Sequence, residues 1–205
     1  FAAFESLAVE SCDMVLRNLE RADALVRSFK QVAVDEATDQ RRVITVKSYL
    51  EEVVRALSPR LRTTRHRVRI LCDEQLAFDT YPSALYQIVS NLVFNSLLHA
   101  FEQVAAGEMT IAVDHSGKSF RLTYSDNGCG MTDSVREHIF DPFFTTRRGR
   151  GGTGLGMHIV YNLVTQVLCG RISVESAVGQ GMRVLIEIPG ARADVLQPCV
   201  LEGTG

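Results

Sequence analysis

Two asparagines and a histidine, Asn91, Asn95 and His99, recur at four-residue spacing with Gln87 in an otherwise apolar stretch. On a helix that spacing puts all four on one face. Asparagine is a mediocre helix former, and buried amides without partners are costly. Such a stripe therefore either ties a helix to a sheet through a side-chain network or presents amide oxygens to a hard cation. Mg²⁺ takes oxygen ligands and usually shares them with substrate phosphates. Downstream lie Asp126-Asn-Gly-Cys-Gly130, then Ile139-Phe-Asp-Pro-Phe-Phe-Thr-Thr146, a basic connector, and Gly152-Thr-Gly-Leu-Gly-Met157 opening an apolar helical pattern. Glycine lets backbone N–H groups approach phosphate oxygens, and a helix N-terminus adds unsatisfied donors and a positive dipole end. An acidic residue, glycines, an aromatic patch and a Gly-rich helix start in this order are suited to a nucleotide, although each piece alone is a weak signal.

The elements that must position these groups follow from pattern. Arg42 starts a second domain whose first strand is Val43–Val46, followed by an amphipathic helix from Lys47 to Leu57 that ends before Pro59. Val68–Leu71 and Leu76–Phe78 read as a strand pair joined by a turn at Cys72–Gln75. Pro82 sits where a first helical turn favours it, and that helix runs to about Phe101 with Leu85, Ile88, Leu92 and Leu97 facing the core. Glu108–Val113 and Phe120–Tyr124 alternate as a hairpin with Ser116-Gly117 at its turn. Val135–Phe140 is a short helix, and a longer one spans Leu155–Leu168. Arg171–Val174 and Arg183–Ile188 close the sheet around Gly179-Gln-Gly181. The expected class is α+β, a two-layer sandwich with one mixed sheet covered on one face by helices.

Ahead of this domain, residues from about Phe4 to Val34 lack Pro and Gly. Ala8, Cys12, Val15, Leu19, Ala22, Val26, Phe29 and Ala33 form a heptad seam, widened by Leu7, Met14, Leu16, Leu25 and Val32 into a stripe suited to a helical bundle. The expected division is residues 1–36, 42–190 and a tail from 191 to 205.

Composition narrows the class. A formal charge of −2 with mixed signs along 205 residues gives no nucleic-acid-binding surface. Five scattered cysteines without a C-x-x-C pair argue against a disulfide framework or zinc site and for a reducing, cytoplasmic setting. No apolar run reaches transmembrane length. The start at Phe1, in mid-pattern, suggests a fragment, which leaves a membrane anchor in the parent open.

Asn91-x-x-x-Asn95 with His99, Asp126-x-Gly-x-Gly130, Phe140-Asp-Pro-Phe-Phe144 and Gly152-x-Gly-Leu-Gly156 resemble, in this order, the catalytic ATP-binding domain of sensor histidine kinases. That domain belongs to the gyrase, heat-shock-chaperone, histidine-kinase and MutL ATPase superfamily. The resemblance covers about residues 42–190, and the stretch around Arg21 to Lys30 is similar to the second dimerisation helix of such kinases. It implies that Asn95 holds Mg²⁺ bridging the ATP phosphates, with Asn91 directed at the same phosphates. It implies that Asp126 accepts from the adenine amine, a choice an acceptor-only carboxylate makes sensible. Catalysis would involve Asn91, Asn95, His99, Arg147 and Arg148. Nucleotide contacts would come from Asn91, Asn95, His99, Asp126, Gly128, Gly130, Met131, Phe144, Thr145, Thr146, Gly152, Thr153, Gly154, Leu155, Gly156 and Met157. Residues Thr145–Arg150 would form a lid seated by Phe140, Phe143 and Phe144.

The ATP-hydrolysing branches carry a Glu where this chain has Asn91, and an amide cannot act as a general base. Transfer to an imidazole needs positioning and charge stabilisation rather than a base, so the resemblance implies phosphotransfer. Leu98 stands where many members have Lys, so the missing cation would fall to Arg147, Arg148, Arg150 or His99. Met182 stands where members often have Thr. None of His66, His99, His115, His138 and His158 is followed by Asp or Glu, so the acceptor histidine is expected upstream of Phe1. Implied partners are a response-regulator receiver domain and a second copy of the chain, joined through the N-terminal helix, with no nucleic acid and no membrane contact from this fragment. The alternatives are a degenerate nucleotide-binding scaffold and a serine kinase of the anti-sigma-factor type.

Overall fold

The computed structural model describes Met14 and residues 40–116, 119–147 and 152–190. The chain divides into two compact units, Phe1–Asp39 and Gln40–Gly205. The long helix expected over 4–34 lies outside the described residues apart from Met14, which is helical and exposed, and so does the tail from 191.

In the second unit, strand alternation decides which side of the sheet is dry. In β5 (Ser119–Asp126) Phe120, Leu122, Tyr124 and Asp126 are buried while the intervening residues are half-exposed. In β7 (Met182–Pro189) Met182, Val184, Ile186 and Ile188 face the same way. With β2 (Arg67–Cys72), β4 (Glu108–Ser116) and β6 (Arg171–Ser176) they form a five-stranded sheet in the order β2-β4-β5-β7-β6. Only β2 and β4 pair in parallel. The α+β class expected above is the one found.

Helices cover the dry side. α1 (Val46–Leu61) buries Val46, Leu50, Val53 and Leu57, a spacing that makes one continuous apolar face. α2 (Pro82–Asn95) begins on Pro82 and buries Leu85, Ile88, Val89, Leu92 and Val93. Its last turn widens into a π turn, Ser96–Ala100, in which Phe101 N–H bonds to Ser96 O at 3.2 Å, five residues back. A short α3 (Asp133–Glu137) is capped by Thr132 Oγ1, which accepts from Val135 N–H. α4 (Gly156–Asn162) likewise ends in a π turn, Leu163–Val167, and packs on α2. Burying each such Leu or Ile contributes about 1.5–3 kcal/mol. The rings of Phe78 and Phe120 stack at 4.4 Å.

Four local expectations are corrected. β2 and β3 (Ala77–Thr80) do not pair. Asp73 forms a tight turn, its Oδ1 accepting from Gln75 N–H at 2.7 Å. Beyond that turn Leu76 O accepts from Val46 N–H at 2.9 Å. This draws β3 to β1 (Arg42–Thr45), and the two make a separate antiparallel ribbon. Pro59 lies inside α1 rather than beyond it; it removes one intrahelical donor near the end, and Arg62 N–H still closes on Ser58 O at 2.8 Å. The short helix starts at Asp133 instead of Val135 because Thr132 caps it. Cys169 is disulfide-bonded, although the scattered cysteines argued against a disulfide framework, while Cys72 and Cys129 are free. Among the described residues no helix is long and apolar enough to cross a membrane.

Candidate functional site

A cleft of about 1020 Å³ opens between α2 with its π turn, the loop after β5, and the segment leading into α4. Asp126, the last residue of β5, forms its floor and is only 7% exposed. Burying a carboxylate demands donors, and two are supplied. Gly128 N–H donates to Oδ1 at 2.9 Å, and Ser96 Oγ donates to Oδ2 at 2.6 Å. Ser96 has one proton, so in its 2.6 Å contact with Tyr124 OH the phenol is the donor. Burial pushes the Tyr124 phenol far above its ordinary value, which keeps that proton in place. The sequence reading missed Ser96 and Tyr124. The available signals were a hydroxyl beside Asn95 and a tyrosine two positions before Asp126, on the same face of the strand.

The loop beyond Asp126 is stitched to its surroundings. Gly130 has φ of 66°, and a Cβ there would run into the carbonyl of Ala177, so no other residue fits without strain. Cys129 N–H donates to Ala100 O at 2.9 Å and Gly179 N–H to Cys129 O at 2.7 Å. Met131 N–H donates to Ser176 Oγ at 3.0 Å. Gly130 and Met131 line the cleft together with Met182, the residue paired with Asp126 across the β5–β7 ladder. Gly128 lies beneath the floor, packed on Ala100.

At the other end α2 presents Asn91 and Asn95, and its π turn His99, to the cleft. Gln87 is buried and does not line it; instead its carbonyl accepts from Asn91 Nδ2 at 2.8 Å. Thus the two readings of the stripe divide: Gln87 belongs to packing, the other three to the cleft. Facing them are Gly152, Thr153, Gly154, Gly156 and Met157, with Leu155 buried behind. Gly154 has φ of 71° and passes under the backbone of Phe143, itself at φ 65°. A Cβ on Gly156 would lie 3.3 Å from Asn91 Oδ1, so the start of α4 and the asparagine close on one another. Thr153 Oγ1 accepts from Leu155 N–H at 3.3 Å.

Phe144, Thr145, Thr146 and Arg147 complete the wall, whereas Phe140 packs against the core and tilts on Tyr161 at 5.3 Å. His99 Nδ1 lies 3.1 Å from Thr146 Oγ1. Burial, reinforced by the neighbouring Arg147 charge and only partly offset by Glu102, pushes the His99 imidazole below its ordinary value. The lowered value favours the neutral imidazole near pH 7, and among the described residues the cation beside it is Arg147, ion-paired with Glu102. Arg148 and Arg150 lie outside the described residues. Arg60, unforeseen from sequence, lines the cleft from the end of α1 with its guanidinium 4.5 Å above the Phe94 ring.

The cleft has the size of ligand pockets generally, with a prepared acceptor at one end and glycines facing amide oxygens at the other, an arrangement that fits a nucleotide. Residues 80–192 match the model of the histidine kinase-, DNA gyrase B-, and HSP90-like ATPase family. The sensor histidine kinase AruS of Pseudomonas aeruginosa is 36% identical over 177 residues, 79% of this chain but 17% of the relative. The structure of Acinetobacter baumannii histidine kinase AdeS covers 88% of this chain and 84% of its own at a TM-score of 0.66 and 19% identity, a likeness of fold. A structure of histidine kinase ThkA in complex with response regulator protein TrrA matches 87% of this chain and 50% of its own, at a TM-score of 0.64 and 20% identity. The chain belongs to the histidine kinase-, DNA gyrase B-, and HSP90-like ATPase family, as an ATP-binding domain of the sensor histidine kinase kind.

Proposed function

We propose that this chain binds Mg²⁺-ATP in the cleft and transfers the γ-phosphoryl group to a histidine outside the ATP-binding domain. An imidazole nitrogen would attack the γ-phosphorus while the bond to the β,γ-bridging oxygen breaks, and ADP leaves with that electron pair. Asp126 would take the hydrogen bond of the adenine amine, Gly130, Met131 and Met182 would border the base, and the start of α4 would meet the phosphates. Mg²⁺, held by Asn95 and phosphate oxygens, would neutralise charge on the transferring group. Arg147, once exchanged from Glu102, would do the same from the lid side.

The observation that carries transfer over hydrolysis is Asn91. Its amide points at the Gly-rich helix start, in the position where a water-activating carboxylate would have to sit. Relay to an aspartate of a receiver domain is supported by the family and by the complex of ThkA with TrrA. Dimerisation through the segment before residue 40, an acceptor histidine outside this chain and a cytoplasmic location belong to the same proposal.

The test is calorimetry with ATP, with and without Mg²⁺, on the chain and on Asp126→Asn, followed by γ-labelled ATP with a histidine-bearing helical hairpin supplied in trans. Mg²⁺-sensitive binding lost in the variant, and an acid-labile label on the hairpin, are expected. No binding by the unmutated chain would overturn the proposal.

A further inference from the structure

We infer that Ser96, held in turn by Tyr124, is a positioning residue that sets the base selectivity of the cleft; this rests on the nucleotide reading above. The three side chains form one directed relay. Tyr124 OH donates to Ser96 Oγ and Ser96 Oγ donates to Asp126 Oδ2, both at 2.6 Å. All three are withdrawn from solvent: Tyr124 is 0%, Ser96 1% and Asp126 7% exposed. Because Gly128 N–H holds Oδ1, both carboxylate oxygens are tied and the plane of the group is fixed. Only the lone pairs left over open onto the cleft, and they accept.

The direction matters as much as the geometry. A hydroxyl could present either its proton or its lone pair to Asp126, and the second would favour a protonated carboxyl that donates instead of accepting. The Tyr124 proton has no other acceptor in contact among the described residues, so it occupies a Ser96 lone pair and commits the Ser96 proton to Asp126. An acceptor-only group in this orientation selects a six-membered ring edge carrying an exocyclic donor, as in adenine. A ring without that donor, or with a carbonyl there, leaves the carboxylate unpaired.

The placement has its own origin in the fold. Ser96 opens the π turn, a widening found often at functional sites, and this turn meets β5 where Tyr124 and Asp126 project from alternate positions on one face.

The experiment compares binding of ATP with that of purine riboside triphosphate, which lacks the amine, in the 205-residue chain, Ser96→Ala, Tyr124→Phe and the double variant. The unmutated chain is expected to prefer ATP by about tenfold or more, the worth of a hydrogen bond to a charged acceptor. Ser96→Ala is expected to shrink that ratio by about fivefold or more and Tyr124→Phe by about twofold, because relay members strengthen one another. The double variant leaves no orphaned hydroxyl, so its thermal stability is expected to recover relative to Ser96→Ala while the ratio stays small. A ratio unchanged in Ser96→Ala, with only stability altered, overturns this inference and leaves the nucleotide reading intact. Equal binding of both triphosphates by the unmutated chain overturns this inference together with the amine-accepting role of Asp126, and binding of neither overturns the nucleotide reading itself.

Discussion

Asn91 Nδ2 donates to Gln87 O, one helical turn earlier, at 2.8 Å, and this bond turns the Asn91 oxygen toward the start of α4. With Gly156 bare of a side chain, that oxygen and the helix start close on the space between them.

Replacing this amide by a base is expected to open a route to water. Asn91→Glu should raise phosphate release from ATP, in the absence of any acceptor, by about tenfold or more, the lower part of the range for general-base catalysis. A coupled phosphate-release assay reads it. An unchanged rate at saturating ATP would show that the amide is not what suppresses hydrolysis.

Asn95 is expected to carry the metal dependence. Titration of Asn95→Ala with ATP should give the same affinity with Mg²⁺ as without, whereas the unmutated chain binds more tightly with it. Persistence of the Mg²⁺ effect in the variant would move the ligand role to another residue.

His99 gives the fold a pH dependence of known sign. Its folded value is pushed below the ordinary 6.5, chiefly by burial. Below about pH 6.5 the unfolded chain takes up this proton before the folded one does, so the contribution of His99 is present at neutral pH and falls as pH drops. Urea unfolding at pH 7.5 and 5.5 should show a smaller loss for His99→Gln than for the unmutated chain. Removing the neighbouring charge with Arg147→Ala should move the His99 NMR titration upward.

Phe120→Ala is expected to destabilise the domain by about 3–5 kcal/mol. The ring is 1% exposed and stacks on Phe78, which anchors the β1–β3 ribbon. Denaturant unfolding measures the loss. A cost under about 1 kcal/mol would mean that the ribbon moves in to fill the gap.

What sequence could reveal depended on how local the cause was. Gly130 and Gly154 were legible because positive φ and close backbone approach demand glycine from the residue itself. The alternation of β5 and β7 was legible for the same reason, since each strand carries its own period. The partner of β3 was not. Leu76 O takes its bond from Val46, thirty residues earlier, and no pattern near Asp73 records that choice. Nor was the Ser96–Tyr124 relay visible, because it needs a π turn and a strand 28 residues apart in sequence to meet. Among the aromatic box, Phe144 reached the cleft and Phe140 turned to the core, a division that type alone did not foretell.

The strand bearing Asp126 lies between β4 and β7, and the loop after it is fastened to Ser176 and Gly179 in the final hairpin. During synthesis from the N-terminus, β5 therefore emerges with one edge bare and its recognition loop untethered until some sixty residues more have left the ribosome. A nascent chain halted before Met182 holds Asp126 and every asparagine of the cleft, yet it still lacks the strand that covers the second edge of β5 and the Met182 border of the base pocket.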